Sequence, residues 1–130
     1  MKKILVIEDD PVVGMVYQRF LQTHGFSSEV CRDGATGLER LAAYQPDALL
    51  LDMMMPKMGG VEVLKRLRAQ DAFKALPVIV FTNAAIPAFV DQATAAGANH
   101  VLDKSKASPT LILGLLQSLL HIDPLTAVTA

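Results

Sequence analysis

A chain of 130 residues with 52% apolar content can bury one core, so a single domain is expected. Its 12 basic and 13 acidic residues nearly cancel, which leaves no broad cationic surface for a nucleic-acid backbone or an anionic membrane, and neither is an expected direct partner. The single cysteine, Cys31, excludes an intrachain disulfide and a cysteine metal site; it fits a reducing cytoplasm and reads as a small core residue.

The apolar run Ile4 to Ile7 follows Met1-Lys2-Lys3 as in a secretion signal, but it stops at Glu8-Asp9-Asp10 and reads as a first strand. Asp10 then Pro11 has the chemistry of an N-cap and first helical residue, opening a helix that is predicted to pack Val12, Val13, Val16, Phe20 and Leu21 inward and to stop at Gly25. Ser27 to Cys31 is a weaker second strand. Asp33 caps a second helix with Leu38, Leu41 and Ala42 as its buried stripe, closed by Pro46. Ala48 to Leu51 is the third strand, and a third helix runs from about Gly60 to Ala69, with Val61, Leu64 and Leu67 inward and Lys65, Arg66 and Arg68 on a solvated face.

Val78 to Phe81 forms the fourth strand, and Pro87 opens an alanine-rich helix that Gly97 ends. A short fifth strand at Val101-Leu102 precedes a last helix capped by Ser108-Pro109. This alternation of strands and helices is that of a parallel α/β sheet with five of each. One domain is expected over 1–121, with a small-residue tail over 122–130 expected to be disordered. No stretch reaches the roughly 20 uninterrupted apolar residues of a spanning helix, since Gly114 and Gln117 break the most apolar one, so a soluble chain is expected.

In an open parallel sheet the loops after the strands converge on one crevice. Four of the five strand ends here carry a polar or charged group: Glu8-Asp9, Asp52, Thr82 and, after the fifth strand, Lys104. A like-charged pair about 4 Å apart costs on the order of 4 kcal/mol at an effective dielectric near 20, so three carboxylates in one crevice need cations. Lys104 supplies one charge, and Mg²⁺, which suits a site of few carboxylates and several waters, would supply two more. A carboxylate nucleophile, a metal, a lysine and a hydroxyl suffice for phosphoryl transfer. Asp52 would attack, while Thr82 and Lys104 would hold phosphoryl oxygens.

The long loop Met53 to Gly59 has the size of a functional loop and sets Asp52 apart from an ordinary turn aspartate. Asp10 reads as a helix cap and Asp9 as a metal ligand. Met53, Met54, Met55 and Met58 read as packing, since a hard cation does not use thioethers. His24, His100 and His121 form no spaced pair and are expected to face solvent or end helices.

Taken in order, Ile4-Leu5-Val6-Ile7-Glu8-Asp9-Asp10, Leu50-Leu51-Asp52-Met53-Met54-Met55-Pro56 with Gly59-Gly60, Val80-Phe81-Thr82 and Leu102-Asp103-Lys104 resemble the receiver domains of two-component response regulators, over roughly Lys2 to Leu120. The resemblance implies a flavodoxin-like doubly wound sheet of strand order 2-1-3-4-5, with Asp52 as phosphorylation site. It also implies Mg²⁺ served by Asp9 directly, by Glu8 through water and by the Met54 backbone carbonyl. The donor would be a histidine kinase or a histidine phosphotransfer protein, and the output a downstream protein target. The chain would then be a regulator and not an enzyme, its chemistry confined to its own phosphorylation and dephosphorylation.

Three positions depart from the family. Ser105 replaces the proline that usually follows the lysine through a cis bond, Val101 replaces an aromatic switch residue, and Asn83 stands where a small residue is usual. These bear on the readout of phosphorylation more than on transfer. All leucines and isoleucines of Thr110 to His121 fall within an arc of about 200°, wider than the stripe of about 100° or somewhat more that a surface helix needs. Leu111, Leu113 or Leu120 is therefore expected to meet something outside the core, such as a second copy packed on the face of helix 4, strand 5 and helix 5.

The rivals are a receiver-like module that is never phosphorylated, an aspartyl-phosphate phosphatase and a flavin-binding module. The phosphatase would need a second aspartate where Met54 stands, and the flavin module a phosphate loop where Glu8-Asp9-Asp10 would repel phosphate. With its first strand at Met1, the chain is not expected to be the C-terminal receiver of a hybrid kinase, although it could begin a longer regulator.

Overall fold

Apolar runs four residues long, as in Ile4 to Ile7, Ala48 to Leu51 and Val78 to Phe81, must be covered on both faces when they form strands, which requires helices on both sides of the sheet. In the computed structural model, which describes residues 1–83 and 87–122, the strands are β1 (Lys3–Ile7), β2 (Ser27–Cys31), β3 (Ala48–Asp52), β4 (Val78–Thr82) and β5 (His100–Asp103). All pair in parallel in the order β2-β1-β3-β4-β5, as the resemblance implies. The helices are α1 (Pro11–Thr23), α2 (Gly34–Tyr44), α3 (Gly60–Arg68), α4 (Pro87–Ala95) and α5 (Pro109–Leu119), with a short 3₁₀ turn over Asp71–Phe73.

Side chains alternate across a strand, so β1 sends Leu5 and Ile7 to one face and Ile4 and Val6 to the other. The first face packs on Leu41 of α2, Leu64 and Leu67 of α3 and Ala93 of α4; the second packs on Leu21 of α1 and on Ile112 and Leu116 of α5. Strand order reverses between β1 and β3, and the crevice at their carboxyl ends is where the polar strand ends meet.

The expected caps are in place. An Asp10 carboxylate oxygen accepts the Val12 and Val13 N–H groups at 2.9 and 3.3 Å, Asp33 accepts that of Thr36 at 2.7 Å, and the Ser108 hydroxyl accepts that of Leu111 at 3.1 Å. Cys31 is buried, as expected. Three helices turn a different face to the core from the one that apolar spacing predicts. In α1, Val12 and Val16 are 62% and 51% exposed, and Gly14 is buried instead, because a Cβ there would lie 2.9 Å from Val30 Cγ1: the helix lies too close to β2 for a side chain. In α2, Ala42 is exposed while Gly34 and Gly37 face the core, Gly37 directly on Ile7. In α3, Val63 is buried and Val61 only partly so.

Arg68 is not on a solvated face. Its guanidinium donates to the Gly97 and Phe73 carbonyls at 2.7 and 2.8 Å, tying the end of α3 to the turn before β5. In α5, Leu113 and Leu120 pack half-buried on the core, leaving Leu111 as the exposed leucine of that helix. His24 ends α1 with its ring against Phe20, His100 begins β5 half-buried, and His121 is exposed beyond α5. Residues 123–130 of the expected tail lie outside the described residues; Ile122 packs on the second core.

Two glycines test these contacts in opposite directions. A Cβ on Gly60 would meet the Asp52 carbonyl oxygen at 2.7 Å and Met53 Cα at 2.8 Å, both backbone, whereas one on Gly114 meets nothing within 4 Å. Urea unfolding should show Gly60→Ala destabilised by about 1–3 kcal/mol and Gly114→Ala stabilised by about 0.5–1 kcal/mol.

Candidate functional site

Glu8 continues the β1 ladder by one residue, its N–H donating to the Cys31 carbonyl at 2.9 Å, and this carries a charged side chain to the mouth of the crevice. Asp52 ends β3 and Thr82 ends β4; Glu8, Asp52 and Thr82 are 2%, 3% and 0% exposed. Asp9, one residue further out, is exposed at the rim. Carboxylate oxygens of Glu8, Asp9 and Asp52 all lie within 4.8 Å of one another.

Lys104 reaches this cluster from the end of β5. Its Nζ lies 2.6 Å from Glu8 Oε1 and 3.4 Å from Asp52 Oδ2. Burial works against its charge, but Glu8 and Asp52 outweigh burial and hold the ammonium above its ordinary value. At Asp52 burial comes first, and hydrogen bonding and charge repulsion from Glu8 add to it; against the pull of Lys104 they push the carboxyl up to about 7. Burial also raises Asp9, yet hydrogen bonds with Asp52 and Glu8, its own backbone and Lys104 together hold it below the usual carboxylate range.

The chain's own charges thus leave the pocket with more acid than one lysine can neutralise, and with burial this surplus is what pushes the Asp52 carboxyl up. Three hard oxygen donors this close, one of them exposed, fit a divalent cation with open positions for water.

The loop after Asp52 is fixed to the sheet at several points. The Met53 N–H donates to the Phe81 carbonyl at 2.7 Å, the Met54 N–H to Asp52 Oδ1 at 3.3 Å, and the Gly60 N–H to the Met53 carbonyl at 2.9 Å. Met53 and Met55 are buried and Met58 is half-buried, the expected packing role, whereas the Met54 side chain is 53% exposed. The structure therefore brings Glu8, Asp9, Asp52 and Lys104 into contact or near-contact, with Thr82 at the neighbouring strand end and Met54 two residues beyond Asp52.

The departures also have a local form. No peptide bond among the described residues is cis, so Lys104-Ser105 is trans, and the Ser105 N–H and hydroxyl both donate to Asp103 Oδ1, at 2.9 and 2.6 Å, forming a turn in place of proline. Val101 packs half-buried against the core formed with α2, α3 and α4, and Asn83 is exposed. Spacing gave no sign of one neighbour of the site: Tyr17 of α1 stacks on Phe81, the residue before Thr82.

The Response regulator receiver domain family matches residues 4–115. The chain belongs to this family. It is a two-component receiver domain, a signal-transduction module that is typically a phospho-accepting regulator and not a conventional enzyme. The response regulator MprA of Mycobacterium tuberculosis (strain ATCC 25618 / H37Rv) is 41% identical over 80 residues, 62% of this chain and 34% of that protein. The chain thus matches about a third of the length of such curated relatives. Among solved structures, the chemotaxis protein CheY4 of Vibrio cholerae superposes with TM-score 0.86 at 28% identity, covering 92% of this chain and 98% of that one. The receiver domain of sensor histidine kinase PA1611 from Pseudomonas aeruginosa PAO1, with a magnesium ion coordinated in its active-site cleft, gives 0.84 at 26% identity with the same coverage. No helix among the described residues is long and apolar enough to cross a membrane.

The proton on Asp52 gives a pH-dependent expectation. With its folded value near 7 and its ordinary value at 3.8, the native state retains a proton that the unfolded chain gives up. The associated stability is fully present below about pH 4 and is lost as pH rises through 7. In chelator-treated buffer, Asp52→Asn should match wild type near pH 4 and exceed it by about 1 kcal/mol or more at pH 8, and Mg²⁺ should narrow the gap. An offset equal at both pH values would contradict this assignment.

Proposed function

We propose that this receiver domain accepts a phosphoryl group on Asp52 from a histidine kinase or a histidine phosphotransfer protein and signals through protein contacts. The observation that carries the reading is a buried aspartate at a strand end whose carboxylate is held by Lys104 beside Glu8 and Asp9. In the transfer, an Asp52 carboxylate oxygen forms the new O–P bond as the N–P bond of a phosphohistidine breaks, and the freed imidazole carries away the electron pair.

Asp9, Glu8, Asp52 and the Met54 carbonyl are the groups we assign to Mg²⁺, with Asp9 the exposed carboxylate of the cluster. When bound, the ion supplies positive charge to the phosphoryl oxygens. Lys104 supplies a further charge from the β5 side, and Thr82 a hydroxyl from β4. Lys104 would exchange part of its contact with the carboxylates for a phosphoryl oxygen. Residues 1–121 make up the proposed receiver unit, acting in the cytoplasm. A homodimer over α4, β5 and α5, with the exposed Leu111 in its contact, is the proposed assembly. The phosphatase reading has no support at Met54, whose thioether can neither give nor take a proton.

Native and intact mass spectrometry after incubation with Mg²⁺ and acetyl phosphate should show one added phosphoryl group, removed by hydroxylamine and absent in Asp52→Asn. Dimer should rise with concentration. Folded protein that gains no mass at saturating donor and metal would leave an interaction module that is not phosphorylated. Monomer at every concentration would exclude the proposed assembly.

A further inference from the structure

Two consecutive carbonyls at the end of β4 hold the two loops of the site. That of Phe81 accepts the Met53 N–H at 2.7 Å, directly after Asp52, and that of Thr82 accepts the Lys104 N–H at 2.9 Å. Whatever fixes the end of β4 thus fixes the acceptor loop and the lysine together. Within the sheet this end is held by its neighbours, with Phe81 opposite Asp52 and Thr82 opposite Asp103.

Out of the sheet plane, the Phe81 ring is stacked on Tyr17 of α1, with centroids 5.4 Å apart and planes 21° from parallel. Tyr17 is half-buried on the same helix as the exposed Val12, Met15 and Val16, so it joins the interior of the site to α1. Its phenol also lies within the field of the pocket. Burial raises its pKa, Lys104 lowers it, and Glu8 and Asp52 raise it further.

We infer that Tyr17 is a positioning residue for phosphoryl transfer: stacked on Phe81, it holds the end of β4, and with it Thr82 and Lys104, against Asp52, and it couples that geometry to α1. The inference rests on Asp52 accepting the phosphoryl group. Tyr17 touches none of the reacting atoms and acts through Phe81. A change of charge on Asp52 shifts the loops tied to β4, and the stack carries that shift to α1.

The chain has no tryptophan and two tyrosines, so Tyr44→Phe leaves Tyr17 as the sole strong fluorophore. Tyr44 lies on the other face of the sheet, its hydroxyl 2.8 Å from that of Ser27. Tyr44→Phe protein incubated with Mg²⁺ and acetyl phosphate should change its tyrosine emission in step with the added mass and recover it with hydroxylamine. Tyr17→Leu and Phe81→Leu should each slow phosphorylation about tenfold at saturating Mg²⁺, the double variant should be no slower than either, and Tyr17→Phe should keep the wild-type rate.

Phosphorylation of Tyr44→Phe without a change in emission, or a wild-type rate in Tyr17→Leu, would overturn the inference while leaving Asp52 as acceptor. No phosphorylation of wild type would overturn both. If Tyr17→Leu does not fold, the emission of Tyr44→Phe decides.

Discussion

The Lys104 ammonium, 2.6 Å from Glu8 and 3.4 Å from Asp52, is the contact on which the rest of the site depends. Two buried carboxylates and a third at the rim would drive the strand ends apart without a positive charge among them. The lysine approaches from β5, while Asp52 ends β3 with β4 between them, a span of two strand spacings or about 10 Å. A long flexible side chain crosses that span, and the strand it crosses ends in the short Thr82. The backbone confirms the route, because the Lys104 N–H is itself bound to the Thr82 carbonyl.

The site is costly for the fold that carries it. Apolar β1, β3 and β4 run through the centre of the core, and the apolar run of each gives way at its carboxyl end to a polar group that burial disfavours. Local conflict of this kind is characteristic of functional positions, where stability is given up for reactivity. The Asp52 carboxyl, pushed up to about 7 by burial and by Glu8, reflects this: one lysine under-compensates the pocket, and a cation or a phosphoryl group with its cation would complete the charge balance.

Much of this arrangement was legible in the sequence because it depends on short-range patterns. Apolar runs of period-independent character marked β1, β3 and β4, and Asp10, Asp33 and Ser108 marked helix starts by their capping chemistry. The polar residues after the strands marked the crevice, since parallel topology gathers them whatever their separation along the chain. The rotation of α1 and α2 was not legible. Counting apolar residues favours Val12, Val16 and Ala42, but both helices dock through glycines, Gly14 on Val30 and Gly37 on Ile7, and close approach decides which face is buried. Arg68 was missed for a related reason: its partners are carbonyls, which side-chain patterns do not display. Nor could spacing link Tyr17 to Phe81, because their contact depends on how α1 lies across the sheet.

The most direct test of the central claim is chemical localisation. Borohydride reduction of the phosphorylated protein converts an aspartyl phosphate to homoserine, which tandem mass spectrometry reads at a single position. Homoserine at position 52 alone is the predicted result, and homoserine at Asp9, Asp10 or any other aspartate with Asp52 intact would contradict the account.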